Sequence, residues 1–223
     1  MRAKTNPTRR MTILAIALFL AAGLLHEIDR VVPPAWSALA FLLNLSIYIA
    51  LALGWAISIQ QRIMLPRIRS LLIATAALAM LWIFLRACKY RFFESELICT
   101  YLWYLYYLPL LLAPTLTFLT ALEQGSSPEH PLRRAWYLVL IPALLLFLGV
   151  LTNEWHQLAF RFPPAYVHRE DSYAHGPIYF LAMLWSVGMI AASIVILFRK
   201  CRVASSRRYV WLPGALFVRG FAL

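Results

Sequence analysis

The stretch GPIYFLAMLWSVGMIAASIVILF, from Gly176 to Phe198 and closed by Arg199 and Lys200, decides the fold. No residue within it carries a formal charge. A helix of about 20 apolar residues spans the hydrocarbon of a bilayer. Only a helix or a closed barrel pairs every backbone N–H and C=O there without water. Membrane barrel strands alternate apolar and polar positions, whereas this stretch is apolar at successive residues, so it reads as a transmembrane α-helix.

Outward from it the same pattern recurs at Met11–Ile28, Ala35–Ile59, Ser70–Leu85, Ile98–Leu122 and Ala135–Thr152, and less completely at Tyr209–Leu223. The expected fold is therefore all-α, a polytopic transmembrane bundle of about seven helices with the last incomplete. Composition agrees. The 223 residues are 62% hydrophobic and 13% charged, where a soluble domain is about 45–50% apolar and about 25% charged. Mean hydropathy is +0.72. A surface with so little charge needs an apolar solvent, and the lipid bilayer is that solvent.

Net charge is +12 with pI near 10.1, which in a soluble chain would raise the question of nucleic acid. Here the basic residues cluster in short segments between apolar runs, where they fix orientation during insertion, and no nucleic-acid partner is expected. One set of alternate segments holds fourteen Lys and Arg, among them Arg9, Arg10, Arg67, Arg133, Lys200 and Arg208. The other holds six, Arg30, Arg86, Lys89, Arg91, Arg161 and Arg169. The chain is thus expected in the cell membrane with its N-terminus cytoplasmic and the segments around 86–97 and 153–175 outside. Residues 1–34 read as a basic segment with an anchor helix, and 35–223 as the bundle proper. Arg9 and Arg10 before a short apolar run also describe a signal peptide. Missing small residues at a cleavage site after Leu25, with Glu27 and Asp29 following, favour an uncleaved anchor. The run from Tyr209 stops at Leu223 with Arg219 near its close, which suggests a C-terminally incomplete helix.

Cys88, Cys99 and Cys201 form no disulfide framework or thiolate metal site. Cys88 and Cys99 flank an expected external loop and are read as packed thiols rather than as a pair. Pro109, Pro114 and Pro142 lie in apolar runs, where each removes a backbone hydrogen bond and frees a carbonyl that a neighbour must satisfy. Asn44 is the amide deep in a span and suits an interhelical hydrogen bond.

Chemistry concentrates around Leu151-Thr152-Asn153-Glu154-Trp155-His156. Asn153 and His156 are three apart and share a face on a helical turn. An amide and an imidazole pointing together into a cavity would suit ligand capture or a protonation-sensitive contact. The alternative is a helix end whose polar side chains satisfy terminal carbonyls, and spacing alone leaves both open. Tyr166, His168, Arg169, Glu170, Asp171, Tyr173 and His175 follow in the same segment with spacing too loose for zinc; no metal or cofactor is expected. The fourth run opens Tyr101-Leu102-Trp103-Tyr104-Leu105-Tyr106-Tyr107-Leu108, an aromatic belt at headgroup level. Trp103 and Tyr107, four apart, could also line a pocket beside the 153–175 loop. No carboxylate lies in the middle of a span, where ion-coupled transporters place one. Nor is there a phosphate-binding Gly loop, a nucleophile elbow or a zinc-protease motif.

Several of these elements resemble a known family. Tyr101-Leu102-Trp103-Tyr104-Leu105-Tyr106-Tyr107-Leu108-Pro109, Tyr137 with Ile141-Pro142-Ala143-Leu144-Leu145, Leu151-Thr152-Asn153-Glu154-Trp155-His156-Gln157-Leu158 and Tyr173-Ala174-His175-Gly176-Pro177 are similar to the N-terminal seven-transmembrane sensory region of bacterial membrane histidine kinases. The chain looks close to clostridial-type members from Arg62 to about Leu212. The resemblance implies that the family's helices begin with the run from Ala35, and that the region is an input module leading into cytoplasmic signalling domains. These 223 residues contain no phosphoacceptor His box and no ATP-binding Gly motif, so no kinase activity is assigned to them.

The expectation is a sensory or receptor-like module that detects a small-molecule ligand or an envelope condition at its outer face through Asn153, His156, Arg161 and Tyr173, with Trp103 and Tyr107 behind them. Its partners would be a cytoplasmic kinase or regulator, and a homodimer is compatible with it. The rival is a small transporter or permease fragment in which the prolines form gating breaks and Asn44 contacts solute. A structural membrane subunit without a ligand is the third reading.

Overall fold

A computed structural model describes residues 34–63, 65–91, 95–124, 132–162 and 173–200. The runs Met11–Ile28 and Tyr209–Leu223, Cys201, and the loop residues Tyr166, His168, Arg169, Glu170 and Asp171 lie outside the described residues. Each of the five remaining runs is a helix long and apolar enough to cross a membrane, at Phe41–Gln61, Pro66–Lys89, Glu96–Glu123, Arg134–Leu151 and Pro177–Lys200. The all-α polytopic bundle is what the structure contains.

The chain divides into two units, Met1–Gln61 and Arg62–Leu223. In the first, α1 spans Pro34–Arg62. Its Ser46 hydroxyl donates to the Leu42 carbonyl at 2.7 Å. The Asn44 Oδ1 is buried and accepts no hydrogen bond among the described residues.

The second unit is built around one bent span. Helix α2 covers Pro66–Arg91, α3 Glu96–Leu105 and α4 Tyr107–Glu123. A 3-10 segment, Arg134–Val139, leads into α5, Leu140–Leu151, and α6 is the single turn Asn153–His156. A two-residue pair, β1 Phe160–Arg161 and β2 Ala174–His175, precedes α7, Pro177–Lys200. The β pair is antiparallel, with Phe160 opposite His175 and Arg161 opposite Ala174. Helix α4 packs against α2, α5 and α7 and is the centre of the unit.

The prolines explain the bends. Pro109 has no N–H to offer the Leu105 carbonyl and its ring crowds that oxygen, so the span breaks at Tyr106, whose N–H turns to the Trp103 carbonyl at 3.1 Å. Pro142 falls in the first turn of α5, where a missing N–H costs least, and the chain before it is wound as 3-10. Pro114 sits inside α4 and leaves the Leu110 carbonyl without its helical donor. The Ser186 hydroxyl of α7 supplies one at 3.0 Å, shared with its own Ala182 carbonyl, also at 3.0 Å. One turn further along, the Trp185 Nε1–H donates to Thr115 Oγ1 at 3.1 Å.

Two further features belong to a molecule solvated by lipid. Hydroxyls on the helices bond back to the carbonyl four residues earlier, as at Thr75, Thr100, Thr115, Thr117, Thr120 and Ser193, which satisfies them where water is absent. Large apolar side chains such as Phe84, Leu145, Phe180 and Leu184 face outward, while Thr115, Ser186 and Ser193 are buried. That distribution reverses the one water imposes.

Candidate functional site

The bundle has two polar ends. One, the loop end, carries residues 152–162 and 173–176; the other, the basic end, carries Arg67, Glu123, Arg133, Arg134 and Lys200.

At the loop end Asn153 is completely buried. Its Oδ1 accepts from the N–H groups of Ala159 and Phe160, both at 2.9 Å. Its Nδ2 donates to the Phe160 carbonyl at 2.9 Å and to the Tyr104 hydroxyl at 3.2 Å. An amide offers two donors and an oxygen with two lone pairs, so Asn153 has nothing left for a ligand. Asn153 acts as a bracket that mimics a backbone pairing for residues 159–160. The Tyr104 hydroxyl in turn donates a hydrogen bond to Glu154 Oε1 at 2.9 Å, so amide, phenol and carboxylate form one directed chain in which each bond polarises the next.

His156 does not converge with Asn153. The turn α6 ends at Gln157, whose φ of 51° and ψ of 31° are left-handed, a conformation that costs a non-glycine residue about 1–2 kcal/mol. The His156 ring turns back to hold this strained corner. The Leu158 N–H donates to Nδ1 at 2.9 Å, and Nε2 lies 3.2 Å from Thr152 Oγ1. Since Nδ1 accepts, it bears no proton; Nε2 then carries the proton and donates to Thr152, whose hydroxyl in turn donates to the Leu148 carbonyl at 2.8 Å.

Trp103, Tyr107 and Tyr173 do come together, but around a side chain of the protein itself. Phe160, fully buried, lies 4.4 Å from the Trp103 ring, 5.7 Å from Tyr107, 5.4 Å from Tyr173 and 5.8 Å from Tyr179, centroid to centroid. The space between Trp103 and Tyr107 is filled by Phe160 rather than left open. Phe160 went unnoticed in the sequence because nothing local marks it; it is one of thirteen phenylalanines. The other residue missed is Lys89, counted as loop charge yet buried near the end of α2, its Nζ 5.9 Å from the Trp103 ring centroid and 5.8 Å from that of Tyr106. Aromatic faces attract a cation at such distances. Arg161 is exposed on β1. An apolar groove of about 490 Å³ runs elsewhere, between α5 and α7, with Pro142, Leu145, Ile178, Leu181 and Trp185 on its walls.

The loop end is tied directly to α7. The Gly176 N–H donates to the Ala159 carbonyl at 2.8 Å and the Ile178 N–H to the Leu158 carbonyl at 3.1 Å. A Cβ at position 176 would collide with the Leu158 carbonyl oxygen, so the approach requires glycine. At the basic end Lys200, the last residue of α7, donates from Nζ to the carbonyls of Ala121 at 3.1 Å, Leu122 at 2.5 Å and Gln124 at 2.7 Å. An ammonium there satisfies the orphan carbonyls that end α4 and meets the negative pole of that helix. Beside it the buried Glu123 carboxylate accepts from the Leu132 N–H at 3.2 Å and pairs with Arg67 at 3.6 Å.

An all-α bundle with apolar walls and hydrogen-bonded polar ends defines a multi-pass membrane protein. A family model described as the N-terminal 7TM region of histidine kinase matches residues 38–219, and the chain belongs to that family. The match begins inside α1, earlier than the resemblance read from Arg62. Comparison with curated proteins and with solved structures gives no match. The region is a membrane sensory input module and is non-catalytic.

Proposed function

We propose that this module responds to a small-molecule ligand or an envelope condition at its loop end, and that the response travels to the basic end as a movement of α7 against α4, toward a cytoplasmic kinase or regulator. One observation carries the reading. The turn that Asn153 and His156 hold is hydrogen-bonded to the first residues of α7, and the last residue of α7 is hydrogen-bonded to the end of α4. A stimulus that loosens the turn therefore acts on a helix anchored at both ends. In this reading Asn153 and His156 set the resting state. Tyr173, Trp103 and Tyr107 transmit strain through Phe160, and exposed Arg161 is the residue free to meet an anionic group.

The test uses the full chain in nanodiscs with spin labels at residues 124 and 199, both exposed. Acidification or a candidate ligand is expected to change their separation, and Asn153→Ala to produce the changed distance without any stimulus. A distance that stays the same under every condition and in Asn153→Ala would sink the proposal. Solute flux through the protein in vesicles would favour the transport reading instead, although Ser186 already closes the carbonyl that Pro114 opens.

A further inference from the structure

We infer that Trp155 is a lipid-contacting lever, and that the condition the loop end senses is the state of the bilayer's interfacial layer. The inference rests on the proposal that the loop end is the input. Within the turn Asn153–His156, three of four side chains are held by the protein: Asn153 by residues 159–160 and Tyr104, Glu154 by Tyr104, and His156 by Thr152 and Leu158. Trp155 alone points away, with 86% of its surface exposed, the largest fraction among the exposed large apolar side chains described. The bonds of its neighbours fix the turn that carries the indole, so a displacement of the indole bears on that turn.

The depth of that turn indicates what meets the indole. Leu151 ends an apolar span, and Trp155 follows four residues later. The neighbouring span begins at Glu96, and Tyr104, eight residues in, lies about 12 Å along the helix axis from that start. The bond from Tyr104 to Glu154 therefore draws α6 down beside the wall of α3, rather than leaving it above the bundle. Tyr101 and Leu97 are exposed on α3, and Leu158 is exposed just past the turn. Tryptophan, with an apolar body and one N–H, is the side chain that settles at the boundary of headgroups and acyl chains. A phospholipid interface satisfies both parts of it. A small soluble ligand would find the amide of Asn153 saturated and both nitrogens of His156 engaged.

The consequence is mechanical. A change in bilayer thickness or headgroup packing shifts the level at which Trp155 rests, and the shift is applied to the Asn153 and His156 hydrogen bonds that hold the start of α7.

The experiment places a spin label at Trp155→Cys in the full chain with Cys88, Cys99 and Cys201 replaced by Ser, reconstituted in vesicles of dipalmitoleoyl- or dierucoyl-phosphatidylcholine. Collision rates with oxygen and with a water-soluble nickel chelate give the depth of the label. The expected result is a several-fold preference for oxygen over the chelate, a depth that differs between the two lipids, and faster hydrogen exchange at Ala159 and Phe160 in one lipid than the other with Trp155 intact. Trp155→Ala should abolish that difference in exchange. A label fully accessible to the chelate, or protected by a second copy of the chain in a dilution series, overturns the inference; so does exchange that ignores lipid thickness. The broader input proposal fails by a different result, a 124–199 distance that stays the same under every condition and in Asn153→Ala.

Discussion

At the scale of single residues, Asn153 is the most consequential side chain described. Four hydrogen bonds converge on it in a fully buried position. Asn153→Ala would leave two buried N–H groups and a carbonyl without partners, at a cost of about 1–3 kcal/mol for each group that water cannot reach. A net loss of roughly 2–4 kcal/mol is expected in thermal unfolding of the detergent-solubilised chain; a loss below about 0.5 kcal/mol would show that the bracket is dispensable. His156 makes a second prediction at this scale, since its Nδ1 accepts the Leu158 N–H at 2.9 Å and ties down the residue after the left-handed Gln157. Hydrogen exchange at the Leu158 amide should quicken in His156→Ala, and an unchanged rate would show that the ring does not hold the turn.

At the scale of elements, the α4–α7 interface shows how a membrane helix tolerates an internal proline. Ser186 supplies the donor that Pro114 removed, and hydrogen bonds of this kind between membrane helices contribute about 0.6 kcal/mol on average. Ser186→Ala should destabilise the protein by about that amount in the native background. In Pro114→Ala, where residue 114 regains an N–H for the Leu110 carbonyl, the same change should cost measurably less. A double-mutant cycle in unfolding free energy isolates the coupling, and a coupling of zero would contradict the geometry. Lys200 makes the second prediction at this scale. Lys200→Met retains the chain length and loses the donors to Ala121, Leu122 and Gln124. The distance distribution between labels at 124 and 199 should broaden, while one between labels within α4 stays narrow.

At the scale of the whole molecule, the distribution of polarity is the main constraint. Apolar side chains face outward along the spans, hydroxyls fold back on their own helices, and charge is kept to the ends. The orientation expected from the basic residues is checked by a reporter fused within 153–175. It should be active only where a periplasmic or extracellular location activates it, and a cytoplasmic reading there would invert every assignment of inside and outside.

The amino-acid sequence by itself determined the solvent, the class of fold and five of the helices described, because apolar length and backbone pairing leave a chain in lipid few alternatives. It also carried the motifs that resemble the family, and it placed the polar segment near Asn153. Only the tertiary structure decided what that segment does locally. Three-residue spacing puts Asn153 and His156 on a common face of an ideal helix, yet a left-handed Gln157 ends the helix after one turn and sends the amide inward and the imidazole back along the chain. Trp103 and Tyr107 both pack against the Phe160 ring, which arrives from more than fifty residues away. Partners so distant leave no local periodic signal, because the chain's path back to them is set by packing rather than by any run of neighbouring residues.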